Sequence, residues 1–94
     1  MARPSYSPSF EEDLKSSAAF IAFDKPDAAR KWVHRIRTKC KLLAKYPQLG
    51  DAHEEFGRGV RSSYLGHYII FFRVKGEFVE IMRVMRGDRD IKFL

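Results

Sequence analysis

Tyr64-Leu65-Gly66-His67-Tyr68-Ile69-Ile70-Phe71-Phe72-Arg73-Val74-Lys75-Gly76-Glu77-Phe78-Val79-Glu80-Ile81-Met82-Arg83-Val84-Met85-Arg86-Gly87-Asp88-Arg89-Asp90 is the stretch that decides the fold of this chain. From His67 to Val74 nearly every residue is aromatic or β-branched, and Phe78 to Met85 repeats the pattern. A strand sends successive side chains to opposite faces, so apolar residues at both odd and even positions mark strands covered on both sides. The two runs pair as a β-hairpin through Lys75-Gly76, where Gly76 supplies the positive φ that a two-residue connection wants. Long apolar strands left bare would aggregate, so the rest of the chain is expected to be their cover. The basic end of the second strand, with Arg83, Arg86 and Arg89, is the first place to look for function.

A chain of 94 residues, 45% hydrophobic, is large enough for a single core, and residues 1–94 are read as one domain. The lone cysteine, Cys40, has no partner for an internal disulfide and sits on an apolar helical face, which suits a reducing compartment. No apolar run is long enough to span a bilayer and no signal-like segment opens the chain; the expected location is the cytoplasm, with no membrane partner. Eighteen basic against 12 acidic residues leave a charge of +6, which favours an anionic partner: nucleic acid, an acidic protein segment or an anionic surface.

Outward from the hairpin, the Ser5-Tyr6-Ser7 alternation near Pro4 reads as a short edge strand. Ser9 with Glu12 forms a capping-box pattern, and Phe10, Leu14, Ala18 and Ile21 follow on one helical face as far as Phe23-Asp24-Lys25-Pro26. Pro26 opens a second helix striped by Ala29, Val33, Ile36, Cys40 and Leu43, and Tyr46-Pro47 ends it. Gln48 to Gly59 is a polar connection expected to pack through Leu49 and Phe56. Val60 to Leu65 is a strand, turned by Gly66-His67 into the hairpin. The order is β-α-α-β-β-β: an α+β fold with two antiparallel helices on one face of a small antiparallel sheet.

The chemistry-bearing residues form no strong local motif. Cys40, His34, His53 and His67 lack ligand spacing, so neither a metal nor another cofactor is expected. Gly57-Arg58-Gly59 precedes a strand and lacks the spacing of a phosphate loop. A nucleophilic triad would need Ser or Cys brought together with His and a carboxylate, and Cys40 lies in a core stripe. Acid-base cleavage of RNA could draw on His53, His67, Glu54, Glu55 and the arginines, but no spacing requires it.

Several motifs in order resemble the RelE/ParE superfamily of toxins from type II toxin-antitoxin modules, and its ParE branch more closely. They are Ser7-Pro8 with Asp13-Leu14, Lys25-Pro26-Asp27-Ala28-Ala29, Tyr46-Pro47-Gln48-Leu49-Gly50, Gly59-Val60-Arg61-Ser62, Tyr68-Ile69-Ile70-Phe71-Phe72-Arg73, and Ile81 through Asp90. The resemblance implies the same β-α-α-β-β-β fold and a ParD-like antitoxin whose acidic, partly disordered tail wraps the toxin. For the ParE branch it implies inhibition of DNA gyrase. Nucleic acid would be met only through the antitoxin complex.

The branch follows residue by residue. The catalytic arginine of RelE-type ribosome-dependent nucleases falls on Ile69, their paired lysines fall near Val60 and Ser62, and their terminal tyrosine has no counterpart in Ile91 to Leu94. Only Arg89 matches. The resemblance therefore implies a non-enzymatic, protein-directed toxin with no catalytic residue, with Arg83, Arg86 and Arg89 as the target-binding cluster. Arg86 stands where ParE-type members often have histidine. The alternatives are a RelE-type mRNA endonuclease using His67 or Glu55 with Arg89, and a non-toxic member that keeps antitoxin binding alone. The antitoxin is expected on the sheet edge and the groove between helices and sheet, ringed by Arg30, Arg35, Arg58, Arg61 and Arg83.

Overall fold

In a computed structural model that describes residues 3–88, the chain runs β1 (Pro4–Tyr6), α1 (Pro8–Asp24), α2 (Pro26–Lys45), β2 (Asp51–Ala52), β3 (Val60–Leu65), β4 (Tyr68–Lys75) and β5 (Phe78–Arg86). Short 3-10 turns at Pro47–Leu49 and Glu54–Phe56 flank β2. The expected α+β order holds, and β2 adds a short strand inside the segment read as a loop.

Local chemistry explains the helix ends. Proline at the first helical position has no N–H to satisfy and a preset φ, so the residue before it becomes the cap. Ser7, extended at φ −71° and ψ 157°, accepts the Phe10 amide on Oγ at 3.0 Å. The cap thus falls on Ser7, not on Ser9. Lys25 separates the helices and Pro26 starts the second, as the sequence indicates.

The sheet order is β1-β5-β4-β3-β2. It is mixed and not wholly antiparallel, because β1 joins β5 in parallel, with Pro4 opposite Val79 and Tyr6 opposite Ile81. A parallel neighbour needs a long crossover, and everything from α1 to β4 supplies it. Ser7 locks the exit of β1 by donating its N–H to Ile81 O at 3.0 Å and its hydroxyl to Met82 O at 2.7 Å. Leu65 pairs with Tyr68 across Gly66-His67, as read from the sequence. The hairpin register puts Lys75 opposite Phe78, so its two-residue turn is Gly76-Glu77, one residue later than Lys75-Gly76. Gly76 sits at φ +59°, which only a residue without Cβ adopts freely.

Along β4, Ile70 and Phe72 face the helices while Ile69 and Phe71 face away, and all four are buried. The helix side forms the main core with Phe10, Leu14, Trp32, Ile36, Cys40, Leu43, Val79, Ile81 and Val84. The opposite face buries Val60, Ile69 and Phe71 under Phe56, Met82 and Met85. Leu49, expected to pack, is exposed. A β-bulge interrupts β5: Phe71 pairs with Arg83 and Phe72 with Ile81, leaving Met82 as the extra residue.

Candidate functional site

The bulge bears directly on the arginines singled out in the sequence. With Met82 packed on the second face, Arg83 reaches α1 and makes a two-pronged pair with Asp13, Nε to Oδ2 at 2.6 Å and an Nη to Oδ1 at 2.8 Å. Asp13 also accepts the Val84 amide at 3.2 Å. The carboxylate holds the Arg83 guanidinium charged more firmly than an ordinary arginine. Arg83 is thus a clamp between the first helix and the last strand. Arg86 pairs with Asp88, an Nη–Oδ2 distance of 2.9 Å, at the exposed end of β5. Arg89, expected to complete the cluster, lies outside the described residues. Arg83 and Arg86 share a groove of about 340 Å³ between α1 and β5, walled by Phe20, Tyr68 and Met85.

The arginines expected to ring an antitoxin groove are dispersed. Arg30 pairs with Asp27 at the start of α2. Arg35 lies exposed on the outer face of α2, beside Leu42 and Leu65. Arg58 is exposed in the connection before β3. Arg61 turns inward, Nε donating to Pro47 O at 2.9 Å and an Nη to Gly50 O at 2.5 Å, and so ties the end of α2 to the sheet. Arg37, which the sequence did not single out, binds both Glu11 oxygens at 2.7 and 3.1 Å and lies 4.7 Å over the Tyr6 ring.

Two features escaped sequence reading. Phe20 and Phe23 are 74% and 96% exposed; Phe20 walls the groove between α1 and β5, and on the other side of α1 an alanine-lined groove of about 430 Å³ runs between the helices past Ala18, Ala22, Ala29 and Val33. The signal was present: at helical spacing both phenylalanines fall off the Phe10-Leu14-Ala18-Ile21 stripe. The second is a chain of Ser62, His53 and Glu55. His53 Nε2 lies 2.7 Å from Ser62 Oγ and its Nδ1 lies 3.2 Å from Glu55. An ionised carboxylate only accepts, so in the neutral ring Nδ1 carries the proton and Nε2 accepts the Ser62 hydroxyl. The Glu55 backbone N–H, and then His53, hold its carboxyl below the usual range. Ser62 is 2% exposed, so the chain pins a loop to the sheet and offers no accessible nucleophile.

No helix among the described residues is long and apolar enough to cross a membrane. Against known proteins, residues 5–91 match the model of the ParE toxin of the type II toxin-antitoxin system parDE. A solved structure of the chromosomal ParDE TA system from P. aeruginosa superposes with a TM-score of 0.77 at 26% identity, covering 92% of this chain and 96% of that one. No curated protein matches the sequence.

Proposed function

We propose, for a chain that belongs to the ParE toxin family of type II toxin-antitoxin systems, that it is neutralised by a ParD-like antitoxin and acts on DNA gyrase by binding, without cleaving a substrate. The observation that carries the antitoxin half is the helix crest. Exposed aromatic residues beside a groove mark a partner site, because monomers seldom leave such surface to water. Phe23 and the alanine groove offer apolar anchors to an amphipathic helix, and Arg30 lines the groove for an acidic residue. This moves the expected antitoxin surface from the groove between helices and sheet to the outer side of the helical hairpin.

For the target half, the groove holding Arg83 and Arg86 is the surface we assign. Arg83 acts there mainly through Asp13, so its loss would move β5 relative to α1, whereas Arg86 is exposed enough to meet a partner directly. The non-enzymatic reading is supported by Ile69, which stands where the RelE branch has its arginine and is buried at 4% exposure beside Val60 and Phe71.

Induction without antitoxin should give DNA-damage signalling and filamentation while bulk translation continues. Prompt translational arrest with new mRNA 5′ ends would replace this reading with the RelE-type nuclease, and unaffected growth would leave a non-toxic member that only binds antitoxin. Phe23→Asp with Ala22→Asp should keep the fold and abolish neutralisation by the antitoxin; full neutralisation of that variant would remove the crest from the proposal.

A further inference from the structure

Helix α2 holds seven of the chain's 18 lysines and arginines, and no acidic residue stands between Asp27 and Asp51. Arg37 is neutralised by Glu11 of α1, and Arg30 by Asp27 in the first turn of α2 itself. Lys31, Arg35, Lys39, Lys41 and Lys45 have no carboxylate partner among the described residues. At 3.6 residues per turn these five lie within about half of the helix circumference, away from the buried stripe of Trp32, Ile36, Cys40 and Leu43. All of them are exposed except Lys39, which is half-buried. The other unpaired cations are spread over the rest of the chain.

Like charges four residues apart on a helix repel, and Lys31 to Arg35, Arg35 to Lys39 and Lys41 to Lys45 each stand at that spacing. Interspersed signs would keep the surface soluble without that repulsion, so the row suits a partner with a regular negative charge. Lys31 to Lys45 covers about 21 Å at a helix's rise per residue, along which one strand of duplex DNA presents about six phosphates. A membrane-surface helix would need bulky apolar residues here, and Leu42 is the one large apolar side chain that α2 exposes. A single strand would need aromatic platforms, and Trp32, which α2 carries in place of any Phe or Tyr, is buried. Apart from a hollow of about 290 Å³ beside Leu42 and Leu65, the face is the convex side of one helix. It gives a peptide little in which to seat an anchor, whereas a duplex brings a groove of its own. The major groove of B-form DNA, about 12 Å wide, admits a helix of about 10–12 Å, and the groove of A-form RNA is too narrow. We propose that the outer face of α2 is a docking surface for the phosphate backbone of duplex DNA, with Lys31, Arg35, Lys41 and Lys45 meeting phosphates in any sequence. The chain then meets DNA itself, and not only through an antitoxin complex.

This surface is separate from those assigned above. The alanine groove takes Ala29, Arg30 and Val33 from the side of α2 that faces α1, and the Arg83–Arg86 groove lies between α1 and β5. The proposal therefore stands whether or not the helix crest binds an antitoxin or the other groove a target.

The test uses the full chain and a fluorescein-labelled DNA duplex of about 20 base pairs, followed by anisotropy between about 50 and 200 mM NaCl. Duplexes of unrelated sequence should bind alike, with a Kd of about 1–100 μM. Lys31, Arg35, Arg58 and Lys75 are exposed, so variants there keep the fold, which circular dichroism checks. Lys31→Gln with Arg35→Gln should weaken binding about tenfold or more at the low-salt end and make the slope of log K against log salt shallower by about two. Arg58→Gln with Lys75→Gln removes the same charge elsewhere and should leave that slope unchanged. Equal effects from the two variants would show net charge alone and overturn the proposal, as would failure to bind at about 100 μM. Tighter binding of the matching RNA duplex or single strand also overturns it, as does displacement of the duplex by polyglutamate at lower charge concentration than by unlabelled duplex.

Discussion

The two faces of the sheet bury their residues equally and cover them differently. Ile70 and Phe72 on one side of β4, and Ile69 and Phe71 on the other, are all 4% exposed or less. Over the first pair lie two helices whose backbones satisfy their own hydrogen bonds. Over the second lies the connection from His53 to Gly59, which has only a single 3-10 turn of regular structure and is held by side chains as well: His53 on Ser62, and Glu54 accepting the Gly59 amide at 2.9 Å. A loop can bury an aromatic strand as fully as a helix does, provided polar contacts stand in for the missing regular structure. The difference is one of give, since a loop can settle where a helix pair cannot.

The sharpest test removes one large side chain from each face. Phe72→Ala should cost about 3–5 kcal/mol in urea unfolding, because the helices cannot collapse into the space, while Phe71→Ala should cost about 2–3 kcal/mol as Phe56 and the loop move in. Equal losses would break the comparison.

The helix side should also be the alkali-sensitive side. Burial pushes the Cys40 thiol up to about 12 from 9.0. Its folded pKa is raised, so its contribution to stability is complete below pH 9.0 and is lost as the pH climbs from there towards about 12. By the top of that window the loss is of the order of 4 kcal/mol. Urea midpoints between pH 8 and 11 should therefore fall more steeply for the native chain than for Cys40→Ala; parallel slopes would show a thiol that meets water.

Asp13→Ala strips Arg83 and the Val84 amide of their acceptor and should cost about 2 kcal/mol by thermal unfolding. Arg83→Met in the same background should add little, because the two residues act as one unit. Smallest is Ser62→Ala, about 1 kcal/mol. Its mark would be faster amide exchange confined to the His53–Gly59 connection, and exchange raised equally in the helices would deny the loop its separate status.

Much of this architecture was legible before any coordinates. Phe10 and Leu14 on one helix, and Ala29, Ile36, Cys40 and Leu43 on the other, are buried as their spacing indicates, because a 3.6-residue period leaves one face to the core. Trp32 and Ala44 joined that core unannounced, both lying on the same broad face. The hairpin and its flanking turns were legible because glycine is the residue that takes positive φ without strain, and the turn was misplaced only by one residue.

The candidate site was legible as composition and not as arrangement. Periodicity, proline and glycine determine element order and fold class, and charge balance the net charge, since each acts within a few residues or over the chain as a whole. Which arginine is available to a partner is another matter. Arg83 meets Asp13 across 70 positions, and Arg61 meets Gly50 across 11, the first at the bulged strand β5 and the second where β2 pairs with β3. Charge is carried by the residue, but its counter-ion is chosen through space. The tertiary structure therefore decided that Arg83 and Arg61 brace the fold, and that Arg58 and Lys75 are left facing solvent.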